Sequence, residues 1–558
     1  MTQNKTPRDR LYQRWGSLKT ERSTYVSHWK EISDYLLPRS GRYFVTDHNK
    51  GERRHNNIYD STGTRALRVL GAGLMGGATS PARPWFRLAT ADPDMMDFAP
   101  VKLWLSQVQR GMLDIFQRSN TYRALHSMYE EIGAFGTGAS VVMDDFDDVI
   151  RHHVLTAGEY AIAQNYRGEV TTLFREFQKT VSELVMEFGY DKCSQTVRNL
   201  HDRGSLDTWV TIVHGIEPRA DRERDSSKRD ALNMPFKSVY FELGSDTDSY
   251  LRESGFKTFP ALVPRWQVVG GDIYGSSPGM EALGDIKQLQ HEQLRKAQAI
   301  DYMTKPPLQV PTSMKNREID MLPGGTSYVD MSGPSGGIKT AFEVRLDLSH
   351  LLEDIQDVRG RINQTFYTDL FLMLANGTNS AMTATEVAER HEEKLLMLGP
   401  VLERLHNELL DPLIERTFNR MIESGLVPPP PEELQGIELN VQYVSMLAQA
   451  QRAVATNGID RFVGNLGAVA QYKPDVLDKF DSDKWADAYS DMLGVDPELI
   501  VSNERVAMIR NARAQAQQAA QQQAQMAQAA ATAKDAAMAG GGGEEGLPNA
   551  MSMFTGYQ

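Results

Sequence analysis

Residues 277–304 read SPGMEALGDIKQLQHEQLRKAQAIDYMT, and their spacing sets the architecture. Apolar side chains recur along this stretch at helical intervals: Leu283, Ile286, Leu289, Ala297 and Ile300. Ser277 is suited to an N-cap and Pro278 to the first helical position, and Pro306-Pro307 ends the run. The pattern predicts a helix with one apolar face.

A second helix of similar length is predicted to run back over 346–374. Its apolar positions form an unbroken stripe: Leu348, Leu351, Ile355, Val358, Ile362, Phe366, Leu370 and Met373. Between the two helices, residues 305–345 are rich in Gly and Pro and show little periodicity, which indicates a small module of strands and loops. The sequence thus predicts a helical hairpin with a compact tip.

Upstream of this hairpin the chain mixes helices with strands. An apolar stripe predicts a long first helix from Leu11 to Leu36, and residues 101–135 give a second helical stretch. From about 138 to 260, strand-like runs are separated by turn residues, as at Ala139–Met143, Val170–Phe177 and Trp209–Val213. The fold class is therefore predicted to be α+β and mainly helical.

Downstream, a small polar loop is predicted from Leu374, followed by a long helix over 383–424. Gly399-Pro400 and Pro412 should bend or interrupt that helix. Short helices are expected over 440–510, then an Ala/Gln-rich helical segment, and a disordered tail after Gly540.

Composition narrows the classes of function. The 558 residues carry a net charge of −13, whereas proteins that grip nucleic acid tightly usually have a basic excess. An acidic protein can still contact DNA that has to move past it without binding tightly. Cys193 stands alone, which rules out an internal disulfide and suits a buried, inert thiol. The polar N-terminus and the lack of an 18-residue apolar run argue against a signal peptide and a membrane span.

Motifs for nucleotide binding are weak or missing. Gly71-Ala-Gly73-Leu-Met-Gly76 matches G-x-G-x-x-G, but a dinucleotide site needs a preceding strand. Leu67, Leu70 and Leu74 have helical spacing instead, so we predict a helix whose small residues allow close packing. No G-x-x-x-x-G-K-[ST] loop occurs, and any ATP hydrolysis must come from another protein.

Metal and hydrolase motifs are equally sparse. His291-Glu292 and His391-Glu392 begin like H-E-x-x-H but lack the second histidine, and His152-His153 has no companions at metal spacing. The aspartates around Phe146 could bind a divalent cation, although an acidic turn between strands suits them better. We therefore predict that the chain is not an enzyme and holds no catalytic residue, metal or cofactor.

Four segments in a fixed order carry a family resemblance. They are IYDSTGTRALRVLGAGLMGGATSPARPWFRL at 58–88, SNTYRALHSMYEEIGAFGTG at 119–138, VPRWQVVGGDIYGSSPGMEALGDIK at 263–287, and a segment over 383–427 that begins TATEVAERHEEKLLMLGPVLERL. Together they resemble the head-to-tail connector, or portal, family of short-tailed bacteriophages. The resemblance covers most of residues 8–430.

The resemblance implies a portal fold that assembles as a twelve-fold ring around a DNA channel. Its parts would be the wing at 1–276, stem helices at 277–304 and 346–373, the clip at 305–345, the tunnel loop at 374–382, a long kinked helix at 383–426, and the crown at 427–510. The Ala/Gln segment at 511–539 could extend the crown as a helical barrel. Residues 540–558 would be a disordered tail of the polypeptide.

The same resemblance implies candidate residues. Those for the DNA channel are Lys287, Arg359, Arg361, Asn376, Thr378 and Asn379. Those for docking at the clip are Lys315, Arg317 and Lys339. The basic stem residues could form rings along the channel, and they suit salt bridges between subunits at least equally well.

The implied function is a structural conduit for packaging and ejecting double-stranded DNA. The implied partners are other copies of the chain, a terminase packaging motor, tail adaptor proteins, scaffolding protein, the major capsid protein and internal core or ejection proteins at the crown. The implied location is one vertex of the virion, after synthesis in the host bacterial cytoplasm. The alternatives are another virion assembly or tail adaptor protein, and a nuclease or motor enzyme.

Overall fold

The structure is a computed structural model, and it describes part of the chain. The described residues are 6–46, 51, 54, 56–92, 95, 98–225, 227–228, 230–244, 249–310, 315, 338–340, 349–376, 397–434, 439–445, 447–448, 462–470, 472–473, 475–476, 480–486, 501 and 503–539. They divide into one unit of Met1–Ala91 with Leu103–Phe480, and another of Asp92–Lys102 with Asp481–Gln558. Helix predominates over sheet, as the sequence predicts.

The helices that bear on the candidate site are numbered α1 to α12. They are α1 (Pro7–Tyr35), α2 (Thr62–Ala78), α3 (Ala99–Arg118), α4 (Thr121–Phe135), α5 (Val181–Phe188), α6 (Gln195–Asp202), α7 (Pro278–Glu281), α8 (Leu283–Thr304), α9 (Ser349–Thr365), α10 (Thr368–Asn376), α11 (Asp411–Glu423) and α12 (Asn503–Ala539). Shorter helical segments occupy 397–405, 462–470 and 482–486.

The strands are β1 (Phe86–Thr90), β2 (Ala139–Asp145), β3 (Val149–Leu155), β4 (Tyr160–Gln164), β5 (Val170–Thr180), β6 (Trp209–Pro218), β7 (Phe236–Glu242), β8 (Arg252–Phe256), β9 (Ala261–Leu262), β10 (Leu308–Gln309), β11 (Lys339–Thr340) and β12 (Leu439–Tyr443). Strands β4 to β8 form an antiparallel meander, and β3-β2-β9 form a second antiparallel sheet. Two strand pairs, β1-β12 and β10-β11, complete the described sheets.

Helices cover both faces of the five-stranded meander. The predicted first helix is confirmed as α1, which starts with a capping box between Thr6 and Asp9. Its apolar residues, among them Trp15, pack on one face of the sheet against Phe174 and its neighbours. The other face packs against α5 and α6, where Cys193 is buried as predicted. The meander is thus covered by helices on both faces.

Small residues let α2 pack closely against its neighbours. The G-x-G-x-x-G segment lies inside this helix, as its apolar spacing predicts, and the described residues just before it, 56–61, contain no strand. A Cβ on Gly73 would overlap Phe371 of α10, and a Cβ on Gly71 would lie 2.9 Å from Glu130 of α4. Glycine here serves helix packing rather than a phosphate loop.

The predicted helix start at Ser277 is confirmed. The Ser277 hydroxyl accepts a hydrogen bond from the Met280 amide at 3.0 Å and donates one to the Ala134 carbonyl at 2.8 Å, and Pro278 is the first helical residue. The run is divided in two, because α7 ends at Glu281 and α8 begins at Leu283, with Ala282 between them. The N-cap is therefore tied directly to α4.

The returning helix differs from the prediction of one unbroken element. Its stripe is buried as expected at Ile355, Val358 and Ile362, but α9 ends at Thr365 and α10 begins at Thr368. Tyr367, with a φ of +53°, interrupts the helical backbone. Periodicity of side chains continues across this break, which is why the sequence pattern did not reveal it.

Further along, three expectations need correction or completion. Helix α10 continues to Asn376, so the first residues of the predicted polar loop are helical, and 377–396 lie outside the described residues. The predicted interruption near Pro412 is a π-helical turn at His406–Leu410. The prediction of short helices from 440 is wrong at its start, because β12 pairs there with β1.

The acidic turn predicted around Phe146 is confirmed as the turn between β2 and β3. One oxygen of Asp145 accepts hydrogen bonds from the Asp147 and Asp148 amides at 2.8 and 3.0 Å.

Two further expectations concern helices. In the second unit, α12 extends beyond the predicted Ala/Gln segment, and Arg510 at its start pairs with Asp483. None of the described helices combines the length and apolarity that a membrane span needs.

Candidate functional site: the paired helices and their anchor

Asp60 anchors the paired helices α8 and α9 to the rest of the first unit. This carboxylate lies just before α2 and is almost fully buried. One oxygen accepts hydrogen bonds from the amide and hydroxyl of Thr62 at 2.8 and 2.6 Å. The other accepts from Arg359 of α9 at 2.6 and 3.1 Å and from Gln293 of α8 at 3.1 Å. One side chain thus connects three segments.

Gln290 of α8 reinforces the same anchor through the backbone. Its carbonyl oxygen accepts hydrogen bonds from the amides of Tyr59 and Asp60 at 2.6 and 2.8 Å, and its amide nitrogen donates to the Asp60 carbonyl at 2.9 Å. Burial alone would raise the pKa of Asp60, but hydrogen bonds from Thr62 and Arg359 outweigh it and lower this pKa below its ordinary value. Asp60 is therefore held as a charged acceptor.

The three basic residues proposed for the channel all take part in ion pairs within the chain. Besides the pair of Arg359 with Asp60, Lys287 pairs with Glu31 of α1. Arg361 pairs with Asp285 across the two helices at 3.1 Å and with Asp357 on its own helix. The structure therefore brings these residues to the helix pair, and contact with DNA stays a prediction.

The remaining candidates are less completely placed. Asn376 is the last residue of α10, whereas Thr378, Asn379 and Arg317 lie outside the described residues. Lys315 is exposed. Lys339 lies in β11, where its backbone pairs with Gln309 of β10. Docking at the predicted clip therefore stays a prediction too.

An acidic seam runs between α8 and α9. We use this name for Asp285 and Glu292 of α8 together with Asp354, Asp357 and Arg361 of α9. Arg361 interacts electrostatically with all three aspartates, and Glu292 faces Asp354. Four carboxylates against one guanidinium leave the seam with an excess of negative charge.

Glu292 is a buried member of this seam. One of its oxygens accepts a hydrogen bond from the Gln288 side chain at 2.7 Å, and the other is buried with no hydrogen-bond partner in the described structure. Burial first, and then the facing Asp354 carboxyl, raises the pKa of Glu292. Glu292 and Asp354 thus form a carboxyl pair that joins the two helices.

Sequence reasoning missed one cation on the same helix, Arg295. It is exposed, and its guanidinium donates to His291 at 3.4 Å and to Gln298 at 3.2 Å. No carboxylate partner lies within ion-pair distance of it among the described residues. A helical wheel could have found it, because Arg295 lies opposite the apolar face that contains Ile286.

The far ends of α8 and α9 expose apolar side chains. Ile286 and Leu289 near the anchor are fully buried, but the other end of the hairpin exposes a third to a half of several apolar residues: Ile300, Tyr302, Met303, Leu308, Val310 and Leu352. A cluster of this kind on a polar protein usually marks a contact with another molecule. The burial of the apolar stripe is thus completed at one end only.

A buried ion pair fixes the helix that follows the predicted tunnel loop. Arg265 is 2% exposed, and its guanidinium donates to both oxygens of Glu408 at 2.6 and 3.2 Å. The same guanidinium donates to the Gly168 carbonyl at 2.7 Å and to Gln164 and Ile273. Because Glu408 lies in the π-helical turn, Arg265 connects that turn to the β4–β5 loop.

Within the described part of the chain, no three His, Cys, Asp or Glu side chains are grouped to hold a metal ion. His152 is buried in β3, where burial lowers its pKa to about 4 and keeps it neutral.

A groove of about 1180 Å³ runs along α11, lined by side chains such as Ile414, Phe418 and Pro429.

The family comparison matches nearly the whole chain. Residues 8–501 match the family described as bacteriophage head to tail connecting protein. A probable portal protein of Bordetella phage BPP-1 is 66% identical over 552 residues, which cover 99% of each chain. The portal protein of Salmonella phage epsilon15 is 49% identical over 515 residues, 92% of each chain.

Solved structures give weaker likenesses. One, from the virion of a native gene transfer agent particle, is 11% identical with a TM-score of 0.36, and the match covers 79% of this chain and 95% of that one. Another, from the neck of the native particle computed with C12 symmetry, is 13% identical with a TM-score of 0.30. That match covers 74% of this chain and 89% of the other.

Proposed function

This chain belongs to the family of bacteriophage head to tail connecting proteins, and we propose on that basis that twelve copies close into a ring around a channel for double-stranded DNA. Its role is the structural one of a portal protein, for which both near-full-length relatives are named. That match over nearly the whole chain is the observation that carries the proposal. The protein lies in the virion at the junction of head and tail.

The exposed apolar end of the helix hairpin supports assembly into a closed ring. Ile300, Met303 and Leu352 would remain in water in a monomer, and a neighbouring copy at each side would cover them. Head-to-tail contacts that close on themselves provide such neighbours without leaving an open end. The stem would then be built from α7 to α10, with the apolar cluster at the subunit boundary.

The other regions take their places around this stem. Residues 1–276 would form the wing, 305–345 the clip and 374–382 the tunnel loop. The long helix at 383–426 would lead to the crown at 427–510, and α12 could extend the crown as a barrel. The clip would contact the terminase motor and tail adaptors, and the wing and crown would contact capsid, scaffolding and internal core proteins.

The charge balance of the stem suits DNA that slides. Across α8 and α9, six acidic side chains stand against five basic ones, and the candidates Lys287, Arg359 and Arg361 are already paired with carboxylates. Such a surface offers the phosphate backbone little net attraction, and strong attraction would slow translocation. A nearly neutral stem would therefore guide DNA without holding it.

The chain would supply no energy for packaging. It lacks the phosphate-binding loop of ATPases, so ATP hydrolysis is assigned to a partner and the protein itself acts without catalysis. Purified protein should hydrolyse neither ATP nor DNA. Hydrolysis that a point substitution in this chain abolishes would contradict this part of the proposal.

Electron microscopy and native mass spectrometry of the full chain test the assembly. We expect rings of about twelve subunits with a central channel, as the proposed function requires. Monomers or short fibres under all assembly conditions would contradict the portal ring and favour another virion adaptor.

A further inference from the structure

The groove along α11 is apolar, and part of its apolar surface is exposed. Helix α11 contributes Ile414, Phe418 and Ile422, which are spaced four residues apart and therefore form one stripe on one face of the helix. Leu88 of β1 lines the groove as well. Ile422 and the nearby Leu426 are 51% and 52% exposed. Apolar side chains exposed together in this way usually mark a contact with another molecule.

A run of prolines forms another wall of the groove. Gly425, with a φ of +68°, follows the end of α11, and the chain from Val427 to Pro430 then lines the groove. Trp104 of α3 lines it too, and its indole nitrogen donates a hydrogen bond to the Pro428 carbonyl at 2.9 Å. Proline has a fixed φ and no amide hydrogen. This wall is therefore held in place and contacts a ligand mainly through apolar atoms.

The charged groups around the groove are acidic. Within the described residues, the charged side chains that line it are Asp411 and Glu415. Asp411 is engaged already, because it accepts a hydrogen bond from the Tyr443 hydroxyl. Glu415 is exposed, and so are Glu432 and Glu433, which lie in the chain between two residues that line the groove. No ion pair joins these three glutamates to another residue that the structure describes.

The cations of α11 lie on its opposite face. Arg416 and Arg420 approach one oxygen of Asp144 in β2 at 3.6 and 3.7 Å. Each follows a residue of the apolar stripe, Ile414 or Phe418, by two positions, which is a rotation of about 200° around the helix axis. These arginines therefore pair within the chain and do not neutralise the acidic rim of the groove.

We propose that the groove along α11 binds a short, basic amphipathic helix of a protein partner. The apolar residues of that helix lie against Phe418 and Ile422, and its Lys or Arg side chains pair with Glu415, Glu432 and Glu433. The proposal is based on the charge complementarity between an acidic rim and a basic partner, together with the apolar floor between them. It goes beyond the portal function and does not depend on the proposed ring.

The dimensions of the groove suit a helix of a few turns. From Ile414 to Ile422 the rise along α11 is about 12 Å, which corresponds to about two turns of a helix lying alongside. Three apolar residues at positions i, i+3 or i+4, and i+7 of the partner would match this length. The apolar contacts would supply most of the affinity, and the ion pairs at the rim would select a basic partner.

A designed peptide tests the binding chemistry. The probe is a labelled peptide of about 15 leucine and lysine residues, with the leucines on one helical face, because shorter helices are marginal in water. Fluorescence anisotropy of this probe with the full chain at physiological salt should give a Kd on the order of micromolar. A peptide of the same composition in scrambled order should bind at least tenfold more weakly, since it has no apolar face. Equal binding of the two peptides, or no binding, would overturn the proposal.

A substitution in the apolar stripe locates the site. Ile422→Asn should weaken binding of the probe at least tenfold, and it should fold because the side chain is half exposed. Met186→Asn is the matched control, since Met186 is exposed on α5, away from the groove. The control should bind like wild type. Melting temperatures of both variants show whether each is folded.

Charge reversal tests the acidic rim separately. The double variant Glu415→Lys with Glu433→Lys should weaken binding of the probe at least tenfold. The control with the same change in net charge is Glu21→Lys with Glu403→Lys, at two exposed glutamates that do not line the groove. Equal losses in the two double variants would show a general attraction between a basic peptide and an acidic protein, and the proposed site would be wrong.

Photo-cross-linking decides the matter if a variant does not fold. A benzophenone group in place of the central leucine of the probe should cross-link wild type within α11 and residues 427–434, as mapped by mass spectrometry. Cross-links elsewhere would overturn the proposal. Binding to monomers but not to rings would show that a neighbouring copy fills the groove, which also contradicts it. Normal binding by protein that forms no rings would contradict the ring alone.

Discussion

Arg359 donates two hydrogen bonds to one oxygen of Asp60, at 2.6 and 3.1 Å, although the two residues are 299 positions apart. The pair connects the segment before α2 to the returning helix α9, and Gln293 of α8 donates to the same oxygen. Both helices of the hairpin, α8 and α9, therefore meet at one buried carboxylate. If the hairpin is the stem of the proposed ring, a force on it would be transmitted to the segment before α2 through this carboxylate.

Replacing Asp60 with Asn should weaken the anchor. The amide keeps the shape of the side chain but loses the charge that Arg359 and Thr62 stabilise, so the free energy of unfolding should fall by about 1–3 kcal/mol. Urea denaturation at neutral pH measures this loss. The exposed Asp207 supplies the control, because Asp207→Asn should change stability by no more than about 0.5 kcal/mol. Equal stabilities of the two variants would contradict the anchor.

The same anchor should be sensitive to acid. Because the pKa of Asp60 is lowered in the folded protein, its contribution is fully present above the ordinary value of about 3.9. The contribution is then lost as the pH falls through the lowered pKa. Wild type should therefore lose stability below about pH 4 more steeply than Asp60→Asn does. Parallel acid-denaturation curves for the two proteins would rule out this role.

Glu131 should change the stability with pH in the direction opposite to that of Asp60. This buried carboxyl accepts hydrogen bonds from the Thr156 hydroxyl at 2.7 Å and the Ala157 amide at 3.2 Å, and burial raises its pKa to about 7. The folded state thus holds the proton more tightly than the unfolded chain, and stability falls as the pH rises from about 4.5 to about 7. The loss should approach about 3 kcal/mol.

Glu131→Gln should remove that part of the pH dependence. Unfolding free energies measured at intervals between pH 4.5 and 8 should be nearly level in this region for the variant and should slope downward for wild type. Glu21→Gln on α1 serves as the control and should keep the wild-type slope. A Glu131→Gln profile that follows wild type would show that this carboxyl does not titrate in the range.

Local patterns predicted the helices well, because each helix carries its own signal. Ser277 followed by Pro278 determines where α7 begins, and the apolar stripe of α9 follows from residues within a few turns. The break at Tyr367 left no such signal, because its positive φ does not disturb the spacing of the stripe. Side-chain periodicity reports burial rather than backbone continuity.

The sequence pattern did not predict which strands and side chains from distant parts of the chain pair with each other. Strand β12 pairs with β1 in a register that places Tyr443 opposite Phe86, and a single alternating run of five residues does not indicate so distant a partner. The ion pairs of Lys287, Arg359 and Arg361 were missed for the same reason, since their partners lie on other elements. The candidates were placed on the correct helices, but their partners emerge only from the tertiary structure.

Arg265 should be irreplaceable even by lysine. Its guanidinium binds Glu408, Gln164 and the carbonyls of Gly168 and Ile273 at once, and a lysine ammonium cannot reproduce this planar set of bonds. Arg265→Lys should lower the free energy of unfolding by about 3–5 kcal/mol, because buried groups lose their donors. Arg118→Lys, at an exposed pair with Asp114, should cost no more than about 0.5 kcal/mol. A similar small loss at both sites would contradict the proposed anchoring of the π-helical turn.

Two glycines of α2 give opposite predictions within one motif. A methyl group on Gly73 would overlap Phe371, so Gly73→Ala should destabilise the protein by about 1–3 kcal/mol. Gly76 is exposed with open space around its Cβ position, so Gly76→Ala should leave stability unchanged or raise it by up to about 1 kcal/mol through helix propensity. Thermal melting of both variants checks the difference. If the motif served a nucleotide instead, wild type would be stabilised by added dinucleotide and both substitutions would abolish that shift; we expect no shift in any of the three proteins.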